Sequence, residues 1–69
     1  MVLTNDGNSI SLKTDQPIDL TAYDMQGRVL YKAGTHSLHH INTLNWTPGI
    51  HILRIEGDQW YHNLKVLIP

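Results

Sequence analysis

Apolar and polar residues alternate with a period of two through most of this chain, and no useful stretch repeats with the 3.6-residue period of a helix. The strongest run is Pro48-Gly49-Ile50-His51-Ile52-Leu53-Arg54-Ile55-Glu56, rich in β-branched residues, with turn signals at both ends. Pro48 presets φ and Gly49 tolerates positive φ, so the chain can turn sharply into the run, and Gly57-Asp58 turns it out again. Seven residues of strand span roughly 23 Å at about 3.3 Å each, enough to cross a small domain. The pattern predicts a central strand on which the other elements pack.

Before it, the turn formers Asn5-Asp6-Gly7-Asn8 follow Val2 and Leu3, and residues 9–13 alternate as a half-buried strand does. Pro17 predicts a break at residues 14–17, because it cannot donate to a ladder and restricts the residue before it. Ile18, Leu20 and Ala22 then form the inner face of a second strand, with Tyr23 facing outward. Asp24-Met25-Gln26-Gly27 is a turn, with Asp24 able to accept backbone hydrogen bonds and Gly27 free to be left-handed; Asp24, Gly27 and Gly49 are the expected fold-critical turn residues. Residues 28–33 return as the hairpin partner, Gly34 ends them, and residues 37–41 make a weaker strand. Residues 42–47 are too rich in Asn and Thr for a helix and predict an irregular connector pinned by Leu44 and Trp46.

The last segment pairs back on the central run across Gly57-Asp58, setting Glu56 opposite Gln59, Ile55 opposite Trp60, Leu53 opposite His62 and His51 opposite Leu64. One face then carries His51, Leu53, Ile55, Trp60, His62, Leu64 and Val66. The other carries Arg54, Tyr61, Asn63 and Lys65 together with Ile50, Ile52 and Leu67, which implies a second covered surface and makes a homodimer a candidate assembly. The elements add up to an all-β domain, a small antiparallel Ig-like β-sandwich of about six to seven short strands, in one unit over the whole chain.

Size and charge narrow the function. A chain of 69 residues buries only about 60% of its unfolded surface, which leaves no room for a deep enzyme cleft. The absence of cysteine excludes disulfides and thiolate metal sites. Five Lys or Arg against six Asp or Glu, with no basic run, argue against nucleic acid as a partner. No apolar stretch approaches the ~20 residues of a membrane helix, and the N-terminus has no signal-peptide pattern. Met1-Val2-Leu3 leading straight into strand-like sequence suggests a domain cut from a longer protein.

The candidate chemistry is sparse. Of five histidines (His36, His39, His40, His51, His62), only His51 and His62 fall on one face of neighbouring strands, and imidazoles packed at the sandwich edge outweigh a metal reading about four to one. The carboxylates sit in or beside turns, where they cap backbone N–H groups, and no serine has the context of a strained nucleophile. No catalytic residue, metal site or cofactor is expected. Tyr23, Tyr31 and Tyr61 could form a sugar platform, the alternative reading being a carbohydrate-binding accessory module of a secreted enzyme. With no Phe in the chain, Trp46 and Trp60 are expected in the core.

Tyr23-Asp24-Met25-Gln26-Gly27-Arg28-Val29-Leu30, then Leu44, the run from Pro48 to Ile55, and the closing Lys65-Val66-Leu67-Ile68 together resemble the C-terminal sorting domain of proteins exported by type IX secretion in Bacteroidetes-type bacteria. That family has a Tyr-Asp-x-x-Gly-Arg-like turn, a Leu-x-x-Gly-x-Tyr-like approach to an apolar strand ending near Arg-Ile, and a last strand with Lys followed by apolar residues. The resemblance covers residues 18–68. This chain departs from it in three places: His51 stands for the usual Tyr, Leu67-Ile68-Pro69 replaces a common basic tail, and the Pro-Asn-Pro-like lead-in is absent. The resemblance implies a non-catalytic sorting signal for an N-terminal cargo, recognised by outer-membrane secretion machinery and then removed by a sortase-like peptidase, with the cargo secreted or left on the cell surface. Gly49, Arg54, Lys65, Val66, Leu67 and Ile68 are the residues it suggests for recognition.

Overall fold

A computed structural model describes residues 1–69 as five strands and no helix: β1 (Val2–Asn5), β2 (Ser9–Tyr23), β3 (Val29–Asn42), β4 (Gly49–Gly57) and β5 (Trp60–Ile68). All pairings are antiparallel, β3 lining one side of β2 while β1 and then β4 line the other, with β5 outside β4. The single sheet curls so that its two halves face each other across one core.

Five strands replace the six or seven expected because the breaks predicted at Pro17 and Gly34 are irregularities inside two long strands. The β2–β3 pairing runs from Ser9↔Asn42 to Lys13↔Leu38 and resumes at Ile18↔His36, so residues 14–17 of β2 oppose residue 37 alone. Pro17 sits in this bulge, where its missing N–H breaks no ladder, and Thr14 Oγ1 donates to Gln16 O at 2.6 Å across the corner. Two further slips, between Ile18 and Leu20 and between Ala22 and Tyr23, complete the bend.

Alternation then decides what meets inside. Ile10, Leu12, Ile18, Leu20, Ala22, Ile41, Leu53, Ile55, Val66 and Ile68 form the buried cluster, with Tyr31, Trp46 and Leu64 packed against it. Trp46 reaches the core from the connector and stacks on His51, ring centroids 5.1 Å apart. Trp60 does not join it: the indole is 45% exposed and lies over Gly57, where any Cβ would collide with the ring.

That contact accompanies a corrected register. Gly57 pairs with Trp60, Ile55 with His62, Leu53 with Leu64 and His51 with Val66, two residues from the predicted alignment. The turn is Asp58-Gln59, with Gln59 at φ 68°, and Gly57 serves as a strand residue under the indole. A slip of two keeps every side chain on its predicted face.

Candidate functional site

Asp24 organises the turn between β2 and β3. Its Oδ1 accepts the N–H of Gln26 and of Arg28, each at 2.9 Å, and Oδ2 accepts Arg28 Nε at 2.6 Å. Burial works to raise the Asp24 pKa, but the Arg28 N–H, the Arg28 guanidinium and the Gln26 N–H outweigh it and hold the carboxyl below its ordinary 3.8. Gly27 takes φ 83° to close the turn, and Gly49 takes φ 122° where the connector enters β4. The Asp6 carboxyl is also lowered, chiefly by the N–H groups of Asn8 and Ser9, in the turn that joins β1 to β2.

The outer face of β4 and β5 is built by register. Arg54 opposes Asn63 on β5 and Thr21 on β2; Ile52 opposes Lys65 and Tyr23; Ile50 opposes Leu67. Arg54 Nε donates to Glu56 Oε1 at 3.1 Å, and its guanidinium carbon lies 4.1 Å from the centre of the Tyr61 ring. Tyr61 belongs to β5, so the guanidinium has crossed from β4 over its neighbour. Beside it a cleft of about 310 Å³ opens between the Asp24 turn and this face, lined by Tyr23, Met25, Ile52, Arg54 and Asn63 among others.

β5 is an edge strand, paired with β4 on one side only. The two-residue turn makes Gly57 and Trp60 the hydrogen-bonded pair, so the even-numbered residues of β5 bond to β4 and the odd-numbered ones point away. Leu67 O agrees, accepting its hydrogen bond from Asn5 Nδ2 at 2.9 Å. Backbone N–H and C=O groups of Tyr61, Asn63 and Lys65 therefore form a free edge, and their side chains share the outer face with Arg54. The pairing of β5 has no register shift over nine residues, whereas the outer edge of β3 follows a ladder that slips three times.

The residues suggested for recognition divide accordingly. Arg54, Lys65 and Leu67 lie on the outer face, Leu67 being 65% exposed. Val66 and Ile68 are core side chains whose backbone bonds β4, and Gly49 shapes the approach to β4 opposite Ile68. Tyr23, Tyr31 and Tyr61 do not share a face, because Tyr31 opposes inward-facing Ala22 and packs against the core. His51 and His62 lie four ladder positions apart, His51 buried under Trp46 and His62 exposed beside Trp60, so the histidine pair does not converge.

The largest cleft, about 350 Å³, lies at the Trp60 end, lined by Met1, Thr14, Asp15, Gln16, Ile18, Trp60 and His62. Asp15 and His62 are its titratable side chains, and no hydrogen bond joins them. Asn63 and Tyr61, which the sequence reading placed on this face without singling them out for recognition, share it with Arg54 and Lys65.

A curled antiparallel sheet with a regular open edge at its last strand defines a small β-domain suited to strand-to-strand recognition. The family model for the secretion system C-terminal sorting domain matches residues 4–69, essentially the whole chain, and the chain belongs to that family. It is a type IX secretion signal, which implies attachment to a cargo and export across the outer membrane of a Bacteroidetes-type Gram-negative bacterium. A comparison with curated proteins finds no match.

Proposed function

We propose that this domain is a non-catalytic address, read by the outer-membrane secretion machinery through strand addition to the free edge of β5. The cargo lies N-terminal to it; after export a sortase-like peptidase removes the domain and leaves the cargo on the surface or released. The observation that carries this reading is the edge itself: nine residues in regular register, with outward backbone groups at alternate positions and one side-chain contact, from Asn5, near its end. Such an edge is a template for a partner strand, whose main-chain hydrogen bonds supply affinity.

The test must spare the fold. Deleting residues 65–69 would remove Val66 and Ile68 from the core, so a loss of export would not distinguish unfolding from lost recognition. Asn63→Pro removes an outward N–H together with the Asn63 side chain, and an edge strand tolerates the proline; Asn63→Ala, which keeps the N–H, controls for the side chain. Fused behind a periplasm-targeted fluorescent protein in a host with type IX secretion, the wild-type domain carries the reporter out of the cell. The Asn63→Pro fusion stays in the periplasm with an unchanged circular dichroism spectrum. Export of the proline variant at the wild-type rate would overturn recognition at this edge.

A further inference from the structure

Arg54 is placed as a receptor rather than as half of a closed ion pair. Glu56 engages Nε alone, and no group of the protein accepts from Nη1 or Nη2. The guanidinium lies over the Tyr61 ring of β5, and its two terminal nitrogens donate to no group of the protein. A guanidinium held this way presents the geometry that a carboxylate fits with two parallel hydrogen bonds.

On β4 the Glu56 carboxylate partly offsets Arg54, but β5 itself carries one charge sign. From Trp60 to Ile68 the strand contains no Asp or Glu, while Lys65 adds a second cation on the same face. Toward the other end Ile50, 44% exposed, and Leu67, 65% exposed, oppose each other as an apolar pair. A strand added to β5 would set alternate side chains about 5 Å from Asn63, Lys65 and Leu67 on this face.

We infer that the partner strand added at β5 carries a carboxylate side chain that binds the free end of Arg54, and an apolar side chain that covers Leu67. The inference rests on the edge reading above and names the chemistry of the partner: an acidic and apolar extended peptide segment. Arg54 is its specificity determinant, and the backbone edge supplies affinity that does not depend on the partner's side chains.

The probes are three blocked nine-residue peptides of alternating Thr and Val that differ only in a central Glu, Gln or Lys, titrated calorimetrically into the 69-residue chain. The Glu peptide binds about tenfold more tightly than the Gln peptide, and the Lys peptide binds weakest. Arg54→Gln removes the difference between Glu and Gln, added salt narrows it, and the bound peptide slows hydrogen exchange at Tyr61, Asn63 and Lys65. Equal affinity for Glu and Gln, or no binding of the Glu peptide, overturns the inference whatever Asn63→Pro does in export. A mass that doubles with concentration, with the same amides protected, gives the edge to a second copy of this chain and also overturns it. Normal export of Asn63→Pro instead removes the edge reading on which the inference stands.

Discussion

At Asp24 one carboxylate satisfies two backbone N–H groups and one guanidinium, so the β2–β3 turn depends on its charge. Because its folded pKa lies below the ordinary 3.8, the unfolded chain binds a proton more readily than the folded one as pH falls. The stability it contributes is fully present above the unfolded value and is lost as pH drops through the folded one. Asp6 adds to the same window. The urea midpoint should fall below about pH 4, and Asp24→Asn should lower it at pH 7 while flattening the acid slope. An unaltered slope in that variant would count against the turn as its source.

Gly57 makes a second residue-scale test because the expected sign is unusual. Glycine to alanine inside a strand ordinarily stabilises by restricting the unfolded chain. Here the added methyl would meet the Trp60 indole and displace it toward solvent, so Gly57→Ala should lose the usual gain and destabilise by up to about 1 kcal/mol. In a Trp60→Ala background the same substitution should be neutral or stabilising. A double-mutant cycle on urea midpoints reads the coupling directly, and additive effects would contradict the packing described.

At the scale of elements, the period-two pattern was enough to place the inward faces of β2, β4 and β5, because burial sorts alternate residues whatever the register. Strand number was not legible, since a proline that ends a flat strand can also sit in a bulge, and only the curl of the whole sheet decides between them. The β4–β5 alignment escaped for a related reason: Gly57-Asp58 is a good turn pair locally, but the turn shifts one residue onward and Trp60 covers the glycine. Arg54 was singled out by resemblance alone; the predicted register set it directly opposite Tyr61, and the corrected one makes the two diagonal neighbours that still touch. The element-scale prediction is an alternation in hydrogen exchange along β5. Amides of His62, Leu64 and Val66 should exchange slowly, while those of Tyr61, Asn63 and Lys65 exchange at least an order of magnitude faster. Uniform protection would mean that the edge is covered in solution.

Across the whole molecule, the proposed function puts stability and address on opposite faces of one strand. A chain of 69 residues has a folding free energy of roughly 3–10 kcal/mol, and losing a large core side chain costs about 2–5 of it. Val66 and Ile68 contribute to that core, while Lys65 and Leu67, their immediate neighbours, face outward beside the free edge. The two roles therefore separate by substitution at adjacent positions. Ile68→Ala should lower the urea midpoint strongly and reduce export only as far as the folded fraction falls. Leu67→Asp should leave the midpoint within about 0.5 kcal/mol of wild type, as exposed positions do, yet abolish export by placing an acid where an apolar side chain is to be covered. Measured in parallel on the same fusions, export that followed the midpoint in both variants would mean that the machinery senses only whether the domain is folded. Export lost in Leu67→Asp at full stability would place recognition on the outer face of β5.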